Sequence, residues 1–290
     1  MEDFSQIAES VRLPVHIPVY PYLTDHRFEG RVVLPAVETM RVLAETTKVY
    51  RPDTDITGMN RARFDKFLYI PAETTIIDTF CDIAIYANGD ITAALLTKTP
   101  SRKSPIVRIK EHGTLCFPAR KPDVQPPRDM TPTPDGVGME IAAEKIYRDL
   151  VPFGKTYRNI RDQLIISEDG ATARTHARSV NKSALNFADT GSPFPLDAAF
   201  HAACVWGQRY AQTVAFPVGI EKRVIFKPTQ SGTTYLSRII PVRKSPQVLT
   251  FDIWIYGKDG KLYEGVCGVD MRDVSAGRLK PPRWILEDAA

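Results

Sequence analysis

The chain has 290 residues and a net charge of +4, enough length for one large domain or two modest ones around a sizeable core. Its lysines and arginines are interspersed with acids rather than blocked, which excludes the concentrated basic face of a nucleic-acid binder and leaves a mildly basic surface suited to an acidic protein partner. Cys81, Cys116, Cys204 and Cys267 lie far apart with no C-x-x-C pair, so neither a metal finger nor a disulfide framework is expected. Thiols read as reduced, no signal-like segment after Met1-Glu2-Asp3-Phe4 and no membrane-length apolar run together point to the cytoplasm, away from the membrane.

In chain order, residues before about Val15 show no strong period, and Pro14, Pro18 and Pro21 punctuate an extended approach to His26. Pro35 suits the first position of a helix, where a missing N–H is no loss. Val37, Met40, Val42, Leu43 and Ala44 mark an apolar stripe that buries this helix, and Arg51-Pro52-Asp53 ends it. Residues 56–70 carry one or two strands, and 74–86 a strand rich in β-branched and aromatic side chains. Asn88-Gly89-Asp90 turns that strand back into 91–97, and another strand covers 105–117. Prolines at 118, 122, 126, 127, 132 and 134 then mark a semi-extended linker.

The second half repeats this order of elements. Residues 138–150 read as a short helix with Ile141, Ile146, Tyr147 and Leu150 as its apolar positions. Strands at 160–166 and 171–180 flank Glu168-Asp169-Gly170, and a helix opens at Pro195-Leu196-Asp197 and runs to about residue 212. Strands follow at 218–226, 233–242, 248–256 and, after the Lys258-Asp259-Gly260 turn, 261–273. One major helix plus several antiparallel strands in each half, without helices alternating between strands, is an α+β pattern. The expected organisation is an N-terminal half at 1–117, the linker at 118–136 and a C-terminal half at 137–290.

Two constellations carry the chemistry worth weighing. His26 lies on a turn before the first buried helix, as either a surface-turn residue or a catalytic imidazole. Asp197 and His201 stand at i and i+4, on one helix face. Asp197 is either an ordinary acid at a helix start, favoured by free N–H groups and the dipole, or an acid tuned by burial and by His201. His16, His112 and His176 read as structural. No H-x-x-x-H or H-x-x-E-H spacing suggests a metal, no G-x-S-x-G nucleophile occurs, and Gly136-Val137-Gly138 is a lone signal for a phosphate loop.

Together these residues resemble the dehydratase domains of modular polyketide synthases. The family's first motif, H-x-x-x-G-x-x-x-x-P, is matched by His26, Gly30 and Pro35. Its second, an Asp followed four residues later by His or Gln, is matched within Leu196-Asp197-Ala198-Ala199-Phe200-His201. Its third, G-x-x-Y-G-P-x-F, is half present: Gly154 and Tyr157 fit, whereas Arg158 and Asn159 depart from it. The resemblance spans about residues 15–275, including Phe216-Pro217-Val218-Gly219-Ile220-Glu221 and the closing Asp259-Gly260 hairpin.

The resemblance implies a double hot-dog fold, two antiparallel sheets each wrapped around a central helix and joined by the proline-rich linker. It implies loss of water from a 3-hydroxyacyl thioester on an acyl carrier protein, giving the 2,3-enoyl thioester. His26 would be the base at C2 and Asp197 the acid for the 3-hydroxyl. His201 would orient Asp197 or contact the hydroxyl, Tyr157 would help position the substrate, and Gly30 and Pro35 would support the site, with amides near Gly30 facing the enolate oxygen. No metal or redox cofactor is implied, because phosphopantetheine arrives with the carrier. The implied partners are the acyl carrier protein and other polyketide or fatty acid synthase components, with a homodimer as an option. An enoyl isomerase or cyclase acting on carrier-bound intermediates, and a non-catalytic carrier-docking module of the same fold, are the competing readings.

Overall fold

Ile76–Tyr86 illustrates how the sequence makes sheet: Ile77, Thr79, Cys81, Ile83 and Ile85 are buried while the residues between them are more open, the two-residue period of a strand with one face on a core. The computed structural model describes residues 6–100, 107–126, 138–180 and 188–287. Its strands are β1 (Ile7–Pro18), β2 (Arg27–Phe28), β3 (Arg31–Val32), β4 (Gly58–Arg63), β5 (Ile76–Tyr86), β6 (Ile91–Pro100), β7 (Val107–Phe117), β8 (Met139–Ala142), β9 (Ile160–Ser167), β10 (Gly170–His176), β11 (Phe216–Ile225), β12 (Thr234–Lys244), β13 (Leu249–Tyr256) and β14 (Leu262–Arg272). The two long helices are α1 (Ala36–Tyr50) and α2 (Phe194–Tyr210).

Apart from the β2–β3 hairpin, the strands form one 12-stranded antiparallel sheet in the order β1-β5-β6-β7-β4-β11-β14-β13-β12-β10-β9-β8. α1 packs on β5, β6 and β7, and α2 on β9 to β13. This is the expected α+β double hot-dog, with its two sheets fused edge to edge where β4 pairs with β11, Gly219 opposite Arg63 and Val224 opposite Gly58. α2 is buried at every position from Phe194 to Gln208, as a helix sheathed on all sides must be. Ala198, Ala199, Ala202 and Ala203 keep its surface low enough for close packing.

Three local expectations change. Residues 7–14 are not shapeless: they open β1, an edge strand that accommodates Pro14 opposite Phe80, a position where proline is tolerated. Residues 138–150 open as β8, paired to β9 with Ile141 opposite Leu164, before a helical turn at Ala143–Lys145 and a π-helical turn at Ile146–Leu150. The proline-rich stretch is described only to residue 126, the rest of it and Gly136-Val137 lying outside the described residues. Its described part is packed across the outer face of the seam: Val124 sits with Val224, Trp254 and Tyr256, and Lys121 Nζ donates to Thr57 Oγ1 at 2.6 Å. Among the described residues, no helix is long and apolar enough to cross a membrane.

Beneath α1, Arg223 Nε donates to Glu264 Oε1 at 2.7 Å, with side-chain exposures of 4% and 2%, and the guanidinium rests against the sulfurs of Met40 and Met59. Removing one partner of such a pair leaves a buried charge unsolvated, at about 3–5 kcal/mol. Glu264→Ala is therefore expected to lower the unfolding free energy by about that amount in urea denaturation; a loss below about 1 kcal/mol, the range of an exposed pair, would contradict this.

Candidate active site

A 3-10 turn, Pro21–Asp25, delivers the chain to His26. The hairpin that follows turns at Glu29 (φ 48°) and Gly30 (φ 77°), two positive φ values of the kind a type I′ turn demands. It brings Val33 back to His26: the Val33 N–H donates to the His26 carbonyl at 3.0 Å, and His26 Nδ1 lies 3.1 Å from the Val33 carbonyl oxygen. Nδ1 carries the proton in that bond, which leaves the lone pair on Nε2. The spacing from His26 to Gly30 is thus the length of the hairpin that sets the tautomer. Gly30 itself sits on the exposed tip, where a Cβ would meet nothing within 4 Å, so the amides near it are not those of the helix start. Pro35 is the residue just outside α1, its N-cap, rather than the first within it.

On the other side, α2 begins at Phe194 with no side-chain cap, so Asp197 is free of a capping role. Asp197 and His201 are each 4% exposed. His201 Nε2 lies 3.2 Å from Asp197 Oδ2, too poorly aligned for a hydrogen bond, and among the described residues neither atom has a hydrogen-bond partner. The Tyr147 hydroxyl oxygen accepts the amides of Asn159 and Ile160 at 2.9 Å each. Its own proton points toward His201 Nδ1 at 3.4 Å, which leaves the Nε2–H of His201 facing Asp197.

His26, Asp197 and His201 line one cavity with an empty volume of ≈ 750 Å³, counting the space at its mouth. Leu34, Val151, Phe200 and Met271 supply apolar wall, with Phe64, Lys66 and Phe67 from the segment after β4. His112 belongs to that wall as a structural residue: its Nδ1 lies 3.2 Å from the carbonyls of both Lys66 and Phe67, and its Nε2 lies 2.8 Å from the Thr97 hydroxyl. Gly30, Pro35 and Tyr157 do not line the cavity. Tyr157 is 1% exposed, stands edge-on to His26 at 5.0 Å, and its hydroxyl has no partner among the described residues.

The aromatic residue of the 153–157 segment that does line the cavity is Phe153. It stacks on His26 at 4.5 Å with an interplanar angle of 12°, and on His201 at 4.8 Å with an angle of 25°, so one phenyl ring contacts both imidazoles. Set four residues earlier, Phe153-Gly154-Lys155-Thr156-Tyr157 lies along Y-G-P-x-F with the glycine matched, Phe153 in place of the tyrosine, Lys155 in place of the proline and Tyr157 in place of the phenylalanine. Of the two aromatic residues, Phe153 and not Tyr157 lines the cavity.

Protonation follows from burial. Desolvation pushes His26 down to about 4, against the opposing bond from Val33. Desolvation likewise takes His201 down to about 3, helped by the neighbouring His26. The same loss of water raises Asp197 well above the ordinary carboxylate range, and the charge of Glu38 raises it further. Burial thus favours the uncharged form of all three side chains, two neutral imidazoles and a protonated carboxyl. Glu38 is itself held by Tyr22, whose hydroxyl donates at 2.9 Å, and by Arg41 Nε at 2.8 Å.

Asp25, the residue before His26, ties the two sides together. Its Oδ2 accepts the Thr156 amide at 2.8 Å and the Thr156 hydroxyl at 2.6 Å, and its carbonyl accepts the Gly154 amide at 2.9 Å. A Cβ at Gly154 would overlap the Asp25 carboxylate, so only glycine allows this approach. Gly154→Ala is expected to disrupt the clamp, shift Phe153 off His26 and lower stability by roughly 1–3 kcal/mol; a variant with unchanged denaturation and unchanged His26 ring chemical shifts in NMR would contradict this.

Comparison with known proteins adds a family and a fold. The model of the polyketide synthase dehydratase N-terminal domain matches residues 125–281. One polyunsaturated fatty acid synthase polypeptide of Thraustochytrium sp. is 26% identical over 223 residues, covering 71% of this chain and 7% of that protein, so the chain spans only a small part of that relative's length. Among solved structures, the dehydratase domain from the CurF module of curacin polyketide synthase superposes with a TM-score of 0.72 at 17% identity, covering 92% of this chain and 94% of that one. The corresponding domain from the CurJ module gives 0.70 at 16%, covering 98% and 96%. A trans-AT polyketide synthase dehydratase domain from Brevibacillus brevis gives 0.69 at 16%, covering 93% and 96%. At these identities the structural likeness is one of fold.

Proposed function

Because the chain belongs to the polyketide synthase dehydratase family, we propose that it removes water from a 3-hydroxyacyl thioester carried on an acyl carrier protein, with His26 as base and Asp197 as acid. What supports this reading is that both residues open into one largely apolar cavity in the protonation states the reaction needs. A C2 proton beside a thioester is weakly acidic, and hydroxide leaves poorly, so elimination calls for a free base and a protonated acid at once.

In this mechanism the Nε2 lone pair of His26 takes the C2 proton. The C2–H electrons become the C2–C3 double bond as the C3–O bond breaks, and Asp197 gives its proton to the departing hydroxyl, which leaves as water. The imidazolium and carboxylate that remain return to their starting states by proton exchange. The first turn of α1, whose Ala36 lines the cavity, offers amide N–H groups without intrahelical partners for the developing enolate oxygen. His201 stands beside the Asp197 carboxyl, its Nε2 3.2 Å from Oδ2, and Phe153 keeps water from between the imidazoles. The partners on this reading are an acyl carrier protein and the other components of a polyketide or fatty acid synthase.

His26→Ala and Asp197→Asn are each expected to lower turnover of a 3-hydroxyacyl carrier at least about 10²-fold, read as loss of water by intact-mass spectrometry, with circular dichroism unchanged; near-normal turnover in either would contradict the assignment. The pH dependence has a definite sign. A base works when deprotonated, so kcat/KM rises as pH passes about 4; an acid works when protonated, so it falls only as Asp197 ionises, above the ordinary carboxylate range. A descending limb at the value of an exposed carboxylate would contradict this.

A further inference from the structure

We infer that the cavity selects substrates with a fully reduced hydrocarbon tail and discriminates against tails that carry oxygen beyond the reacting carbons. The inference rests on the dehydratase reading for the orientation of the bound chain. Along α2, Asp197, Phe200, His201 and Cys204 recur at i, i+3, i+4 and i+7 and all line the cavity, so it follows one helix face for two turns, roughly 10 Å. One end is open, at the exposed Lys66. The buried lining includes Val151, Phe200, Cys204, Ala215 and Met271, which on this reading form the enclosed end. A thioester entering at the open end and reacting beside Asp197 places its tail in that enclosed end.

Hydrogen-bonding side chains there are already engaged. Among the described residues lining the enclosed end, only Cys204 carries a polar side-chain atom, its sulfur is approached by Gln208 Nε2 at 3.6 Å, and burial pushes the thiol up to about 11, so it stays uncharged. Elsewhere on the wall, Thr39 is bonded to the Pro35 carbonyl at 3.2 Å and both nitrogens of His112 are occupied. A tail hydroxyl or ketone would leave water and find no side-chain partner, whereas a methylene loses nothing and gains burial.

The test compares 3-hydroxyoctanoyl carrier protein with an analogue bearing a second hydroxyl near the tail end. The expected result is a kcat/KM roughly tenfold or more higher for the plain chain; parity, or preference for the hydroxylated chain, overturns the inference. Met271→Gln, which sets an amide in the enclosed end, is expected to narrow that ratio, whereas equal losses on both substrates with the ratio unmoved overturn it. If neither substrate is dehydrated, the dehydratase reading fails by itself. Calorimetric binding of octanoyl-pantetheine against its tail-hydroxylated counterpart then decides the selectivity: tighter binding of the plain chain upholds it and equal binding overturns it.

Discussion

Withdrawal of Asp197 from water, at the place where α1 and α2 come together, is the constraint on which the rest of the structure depends. A carboxyl in that position is pushed toward its protonated form because the charged form has lost its solvent, and because Glu38 supplies a second negative charge nearby. Glu38 is kept buried by its bonds to Arg41 and Tyr22, so the electrostatics of one half act on the acid of the other. The fused sheet exists, in functional terms, to make a dry interface between two helices.

The two halves must also be held in register, since acid and base sit on different ones and misplacement by about 1 Å is enough to impair a reaction of this kind. Three devices share that task. The β4–β11 rungs fix the sheets edge to edge, the Asp25 carboxylate pins the Gly154–Thr156 segment, and Phe153 is stacked against both imidazoles. The last two act directly beside the reacting groups. They couple the position of His26 to elements of the C-terminal half, in addition to the Val33 bonds of its own hairpin.

What could be read from the sequence was what local geometry controls. The His26–Gly30 spacing is legible because a hairpin of fixed length returns Val33 to the imidazole, and the Asp197–His201 spacing because it is one helical turn. The alternating strands and their turns were legible for the same reason. Features made by distant partners were not. β1 does alternate from Ser10 on, with Val11, Leu13, Val15 and Ile17 turned toward the core between exposed neighbours, but its prolines read as breaks, and its order comes from the ladder to β5. Residues 118–126 have the composition of a linker, yet Val124 fits where Gly265 leaves space beside Trp254. Phe153 gained its place from contact with a histidine far away in the chain, and the motif laid four residues later pointed to Tyr157, which packs behind it.

The account turns on a carboxylic acid that keeps its proton in neutral solution, and the infrared spectrum reads this directly. A difference spectrum between the chain and its Asp197→Asn variant at neutral pH should show a protonated-carboxyl stretching band that the substitution removes. If the substitution instead removes an ionised-carboxylate band, Asp197 has no proton to give and the account is wrong.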